Sequence, residues 1–155
     1  MNTQIVIGCD HAAFSLKEII KTHLEDRGYT VSDTGAHSEK SVDYPKFGIE
    51  VGQGVSSGNF EKGILLCGTG LGMSMVANKF PHVRAALCND LFSAVMSRRH
   101  NDANVLVLGG RVIGDVLATE IVDAWLDTAF EGGRHQRRLD QFDTIEDMVR
   151  ESGNH

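Results

Sequence analysis

Residues 64–74 read ILLCGTGLGMS: an apolar run that ends in a thiol, three glycines at alternate positions, and then the start of a helix-like pattern. The run is short and apolar throughout, as a strand covered on both faces requires. A strand that passes through a glycine loop into a helix is half of a βαβ unit, so the rest of the chain should repeat it.

It does so in both directions. Upstream, IVIGC precedes a helical stretch from Phe14 to Asp26 with Leu16, Ile19, Ile20, His23 and Leu24 on one face, and YTVSDTG follows. A helix is expected from about Phe47 to Val55, then the strand GILLC and a helix from about Leu71 to Lys79. Downstream come the strand RAALC, a helix from about Leu91 to His100, the strand NVLVLGG and a helix from about Asp115 to Phe130. The pattern predicts an α/β fold: a three-layer α/β/α Rossmann-like domain with a five-stranded parallel sheet. After Phe130 the chain leaves the repeat. EGGRHQRRLDQ reads as an arginine-rich loop, and DTIEDMVRES reads as a short amphipathic helix, so 131–155 forms a loop and helical tail.

The 155 residues, 41% of them apolar, suit one domain spanning 1–155. A formal charge of −6 argues against a partner that is nucleic acid or an anionic membrane surface. Any anion must be met locally, and beyond Lys79 every lysine-or-arginine position is an arginine, the side chain suited to forked contacts with phosphate. Cys9, Cys67 and Cys88 are odd in number and lack CxxC spacing, so neither a disulfide framework nor a zinc ribbon is indicated. With QIVIGC free of a charged leader and no bilayer-length apolar stretch, a cytoplasmic protein is expected.

Ligands of parallel sheets collect beyond the carboxyl ends of the strands. Those positions hold Cys9-Asp10-His11, Asp33-Thr34-Gly35, the Cys67 glycine loop, Asn89-Asp90 and Gly109-Gly110-Arg111. The loop lacks a P-loop lysine, and Met73 stands where a dinucleotide fingerprint needs its third glycine, although Asp90 lies where a ribose-binding acid would. Read alone, such glycines make a tight turn. They also let backbone N–H groups converge at a helix N-terminus, which suits phosphate or a developing oxyanion. A cysteine ending the strand beside those donors can act as a thiolate, whereas Cys9 and Cys88 read as packing residues. Taken singly, Asp10-His11 reads as a helix cap, His100-Asn101 as a cationic helix end and Asp43-Tyr44-Pro45 as a turn. Arg134, Arg137 and Arg138 crowd like charge into five residues, which an anion would relieve.

Together CDH, DYP, ILLCGTGLG, SRRHNDANVLVLGGRVIG and EGGRHQRR resemble, in order and from Ile5 to about Arg138, the family of ribose-, galactose- and allose-phosphate isomerases, and within it ribose-5-phosphate isomerase B. The resemblance implies metal-free and cofactor-free interconversion of D-ribose 5-phosphate and D-ribulose 5-phosphate through a cis-enediolate. It assigns the base to Cys67, the oxyanion site to the N–H groups of Gly68, Thr69, Gly70, Leu71 and Gly72, and assistance in proton handling to Thr69. His100 is the ring-opening acid, with Asn101 beside it; Asp10 and Tyr44 contact the sugar. His11, Arg111, Arg134 and Arg138 match phosphate-binding positions, and Arg137 has no assigned role. Some members have glutamate at the position of Met73 and serine for the cysteine, which places this chain with the thiol branch. The family also implies a homodimer or dimer of dimers with active sites shared between subunits. Allose 6-phosphate, galactose 6-phosphate or erythrulose 4-phosphate are alternative substrates, and a non-catalytic sugar-phosphate sensor is the alternative of another class.

Overall fold

The computed structural model describes residues 3–153. Five strands, β1 (Gln4–Cys9), β2 (Thr30–Asp33), β3 (Lys62–Cys67), β4 (Ala85–Leu87) and β5 (Val105–Gly109), form one wholly parallel sheet in the order β2-β1-β3-β5-β4. The three central strands are the apolar runs of the sequence. Ile5 to Ile7, Ile64 to Leu66 and Val105 to Leu108 are all at most 1% exposed, so both faces are covered. The edge strands β2 and β4 are only partly buried.

Six helices supply the cover: α1 (Phe14–Asp26), α2 (Pro45–Ser56), α3 (Leu71–Ala77), α4 (Leu91–Arg99), α5 (Asp115–Asp127) and α6 (Arg134–Ser152). Helices α2 and α3 pack together on one face, and α1, α4 and α5 on the other, which is the three-layer architecture expected. Helix α1 has the bounds read from its periodicity. Helices α3, α4 and α5 stop one to three residues earlier than expected, and β4 is shorter than RAALC suggested. The tail requires a larger correction. Arg134, Arg137 and Arg138 lie not in a loop but in the first turns of the 19-residue α6, which starts directly after Gly132 and Gly133, both with positive φ. The glycines break α5 from α6; the polar turns that follow hid the helix because only His135 and Leu139 bury a side chain. Among the described residues, no helix is long and apolar enough to cross a membrane.

Two polar devices fix the edges. At the β2 edge the fully buried Lys17 ammonium donates to both Asp33 oxygens at 2.8 Å and to the Ala36 carbonyl at 2.7 Å. Burial pushes the Asp33 carboxyl up, but Lys17, the Gly35 N–H and Lys21 outweigh it and leave its pKa below the ordinary range. At the β4 edge the Asn78 amide donates to the Ala85 carbonyl at 2.9 Å and accepts from its N–H at 2.8 Å, so one side chain stands in for a neighbouring strand.

Breaking the Lys17–Asp33 pair from one side should be costly, because it strands a buried charge. Asp33→Ala is expected to lose about 3–5 kcal/mol of stability in urea unfolding, and Lys17→Met with Asp33→Leu to recover most of it. A single-variant loss near zero would show that the pair does not stabilise the edge.

Candidate functional site

Strand β3 carries Cys67 to the carboxyl edge of the sheet, beside the point where the chain crosses from β2-β1 to the β3-β5-β4 side. That reversal splits the loops after β1 and β3 to opposite faces and opens a crevice between them. The glycine loop folds back on the thiol. Gly70 takes φ +80°, which places its N–H 3.1 Å from Cys67 Sγ as a donor and starts α3 one residue later. A Cβ at Gly70 would lie 2.4 Å from Leu87 Cδ1, so glycine is required there by both conformation and space. Leu71 N–H donates to Thr69 Oγ1 at 3.2 Å, while the N–H groups of Gly68 and Thr69 make no hydrogen bond among the described residues. Donors in the open first turn of α3 lie next in sequence.

Several predicted residues surround this loop. A Cβ on Gly68 would touch the Arg111 side chain at 3.5 Å, and one on Gly72 would strike the Tyr44 ring at 2.7 Å, so Arg111 and Tyr44 lie against the loop from two sides. Gly110 N–H donates to the Cys67 carbonyl at 2.8 Å and Arg111 N–H to that of Gly68 at 2.9 Å, which ties the loop after β5 to this edge. Asp10 is 7% exposed and caps the single 3-10 turn His11–Ala13, accepting from Ala12 and Ala13 N–H at 3.0 and 3.2 Å. His11 Nδ1 accepts from Val42 N–H at 3.2 Å, so the ring's proton is on Nε2, available to a ligand. Asp90 is a helix cap: its oxygens accept from Ser93 N–H and Oγ, and the N–H contact pulls its pKa below the ordinary carboxylate range. The partial ribose-binding match is thereby accounted for.

The other predicted residues are not here. His100 is the C-cap of α4, and α4 runs from the carboxyl edge back to the amino edge, where β5 begins. Asn101 is beside it, its carbonyl accepting from Arg84 at the start of β4. Arg134 and Arg138, one helical turn apart at the N-terminus of α6, are exposed at the same edge, where the helix dipole adds to their attraction for anions. Arg137 is exposed on the same helix. The two groups are separated by the length of a six-residue strand, roughly 15–20 Å. The candidate residues therefore fall into two groups: Asp10, His11, Tyr44, Cys67 to Gly72 and Arg111 at the carboxyl edge, as expected for residues that follow the strands, and His100, Asn101, Arg134 and Arg138 at the amino edge, each group at most half of a candidate site.

The second half-site contains two groups that the sequence analysis missed. Glu131 Oε1 pairs with Arg99 Nε at 2.9 Å as an ion pair, and the Glu131 N–H donates to the Arg99 carbonyl. His135 stacks on His100 with ring centroids 4.3 Å apart. Loss of solvation, then the neighbouring His100, Arg134 and Arg138, hold the pKa of His135 below the usual imidazole value against the opposing pull of Glu131. Both lie within EGGRHQRR, where the crowded arginines give the stronger sequence signal.

Residues 5–142 match the model of the ribose/galactose isomerase family. The chain is 49% identical to ribose-5-phosphate isomerase B of Escherichia coli over 92% of its own length and 96% of the relative's. It is also similar to the solved structure of Clostridium thermocellum ribose-5-phosphate isomerase B, with a TM-score of 0.92 and 51% identity over 94% of this chain and 99% of the other. Mycoplasma genitalium ribose-5-phosphate isomerase B, solved with bound ribulose-5-phosphate, aligns with a TM-score of 0.90 and 41% identity over 95% and 98% of the two chains.

The three thiols should differ in reactivity. Burial pushes Cys9 to about 12 and Cys88 to about 11, which keeps both protonated, and both are at most 1% exposed. Cys67 is 5% exposed at a loop mouth and receives a backbone N–H. Iodoacetamide at mildly alkaline pH, read by peptide mass spectrometry, is expected to alkylate Cys67 first. Earlier labelling of Cys9 or Cys88 would contradict this geometry.

Proposed function

We propose that this chain, which belongs to the ribose/galactose isomerase family, interconverts D-ribose 5-phosphate and D-ribulose 5-phosphate by proton transfer between C2 and C1. The observation that carries this is the 3.1 Å approach of Gly70 N–H to Cys67 Sγ, in a loop with further backbone donors. Removing a proton beside a carbonyl creates an oxyanion, so base and donors must share one small volume. A cysteine leading into a glycine loop meets that requirement.

In this mechanism His100 donates a proton to the ring oxygen as the C1–O4 bond of the furanose breaks, while the C1 hydroxyl loses its proton to water and becomes the aldehyde. The Cys67 thiolate then takes the C2 proton of the open-chain aldose. The electron pair forms the C1–C2 double bond of a cis-enediolate, and charge passes to the oxygen on C1. Donors from Gly68 to Gly72 stabilise that oxygen, each contributing on the order of 3 kcal/mol in comparable sites. Thr69 moves hydroxyl protons, and return of the proton to C1 gives the ketose. No metal enters these steps. Asp10, Tyr44 and Asn101 orient the sugar, while His11, Arg111, Arg134 and Arg138 bind the phosphate, whose binding energy is remote from the reacting carbons and positions them.

Because the two half-sites lie at opposite sheet edges, a working site needs two copies of the chain. In an isologous homodimer the carboxyl-edge half of one protomer would face the amino-edge half of its partner, giving two equal sites. Exposed apolar side chains support such an assembly: Leu71 (52%), Met75 (65%), Phe92 (72%) and Val112 (55%) flank the carboxyl-edge half, and Phe142 and Ile145 extend along α6.

Proton NMR in D2O with EDTA is expected to show D-ribose 5-phosphate converting to D-ribulose 5-phosphate with solvent deuterium at the transferred position. The Cys67→Ala variant should abolish the conversion while still binding phosphate. Preferential turnover of a four- or six-carbon sugar phosphate would reject the assigned substrate, and binding without turnover by the unmodified protein would reject the enzyme.

Mixing tests the shared site. Cys67→Ala and His100→Asn are each expected to be nearly inactive, but refolded together in equal amounts they should regain about one quarter of normal activity, because half of the dimers are hybrids with one intact site. No recovery, with hybrids shown to form, would mean that both residues act within one chain.

A further inference from the structure

Beside the proposed ring-opening acid, three residues that can ligate a metal converge. His135 Nε2 and His100 Nε2 lie 3.5 and 4.0 Å from Glu131 Oε2, and one ligand atom from each of the three residues lies within 4.8 Å of the others. Arg99 Nε engages the other Glu131 oxygen at 2.9 Å, which orients the carboxylate and leaves Oε2 toward the imidazoles. The His135 side chain is only 7% exposed, and its ring lies between the Glu131 carboxylate and the His100 ring.

Bonds of about 2.1 Å to a tetrahedral zinc ion put neighbouring donors about 3.4 Å apart. The 3.5 Å separation already fits, and the 4.0 Å one needs closure by about half an ångström. The rings now stack with planes 12° apart, so convergence on one ion requires one of them to turn about its Cβ–Cγ bond. His100, half exposed at the end of α4, has room to do so. Two imidazole nitrogens and one carboxylate oxygen suit zinc-class ions rather than magnesium or calcium, and leave a fourth position open.

We propose that His100, Glu131 and His135 form a binding site for a zinc-class divalent metal, and that a metal bound there inhibits the enzyme by occupying the imidazole of His100. Arg134 and Arg138 nearby disfavour a dication, so the site fills when free metal rises and does not retain a resident ion. Metal occupancy and sugar ring opening exclude one another, because both require the same nitrogen. The inhibitory half of the proposal rests on the assignment of His100 under the proposed function; the binding half does not.

The test is a Co2+ titration of the full-length, chelator-treated protein. The intense visible absorption of tetrahedral Co2+ is expected to saturate at one ion per chain and to disappear on addition of Zn2+. It should be lost in Glu131→Gln and His135→Asn with unchanged circular dichroism, and retained in His82→Asn, which disrupts the exposed His82–Asp143–Glu146 group. No band, or a band that survives in both Glu131→Gln and His135→Asn, would overturn the site. Zn2+ should slow the unmodified enzyme reversibly to EDTA, while any activity left in His135→Asn should be insensitive at the same concentration. Stoichiometric binding that leaves the rate of the unmodified enzyme unchanged would overturn the inhibitory half alone.

Discussion

Two strands can lie parallel only if the chain between them returns to the edge from which it started, and in this protein helices make every return. Strand ends and helix ends are thereby segregated. Cys67 ends a strand and faces one edge; His100 ends a helix and faces the other. No change of rotamer can bring them together within a chain. The buried triplet β1, β3 and β5 makes this separation rigid, since its side chains are packed on both faces. The division into two half-sites, and with it the need for a second copy in the proposed mechanism, follows from the parallel sheet.

At the carboxyl edge, backbone geometry does most of the chemical preparation. Gly70 supplies the left-handed turn that aims an N–H at the thiol, Gly72 admits the Tyr44 ring, and Gly109 admits the Thr69 carbonyl, which a Cβ there would meet at 2.7 Å. The Cys67 and Gly68 carbonyls are tied to the loop after β5. A loop fixed from so many sides keeps its donors oriented before any ligand arrives, which is what makes fixed dipoles effective against a developing charge. At the amino edge the organisation is electrostatic: exposed arginines, a helix N-terminus and a stacked histidine pair.

Much of this was legible in the sequence because local patterns encode it. The apolar runs gave the central strands, the periodicity of Phe14 to Asp26 gave α1 with its bounds, and the Cys67 glycine loop marked the carboxyl edge. The edge that His100, Asn101, Arg134 and Arg138 occupy follows from chain direction along α4 and not from the strand-end rule, which speaks only of the carboxyl edge. The start of α6 was missed since its first turns bury little and two glycines precede them. Strand order and the Lys17–Asp33 pair join distant segments, and a single sequence has no local signal for either. The resemblance to sugar-phosphate isomerases named chemistry that spacing alone left open, and the match over residues 5–142 supports the family.

The amide of Asn78 occupies both outward hydrogen-bonding groups of Ala85 on the short β4 edge. An open parallel sheet invites accretion, in which each added chain exposes a fresh edge and growth has no natural end. With Ala85 already answered by a side chain, the β4 edge offers an incoming strand fewer free backbone groups, a protection that comes from a residue outside the sheet rather than from the strand itself.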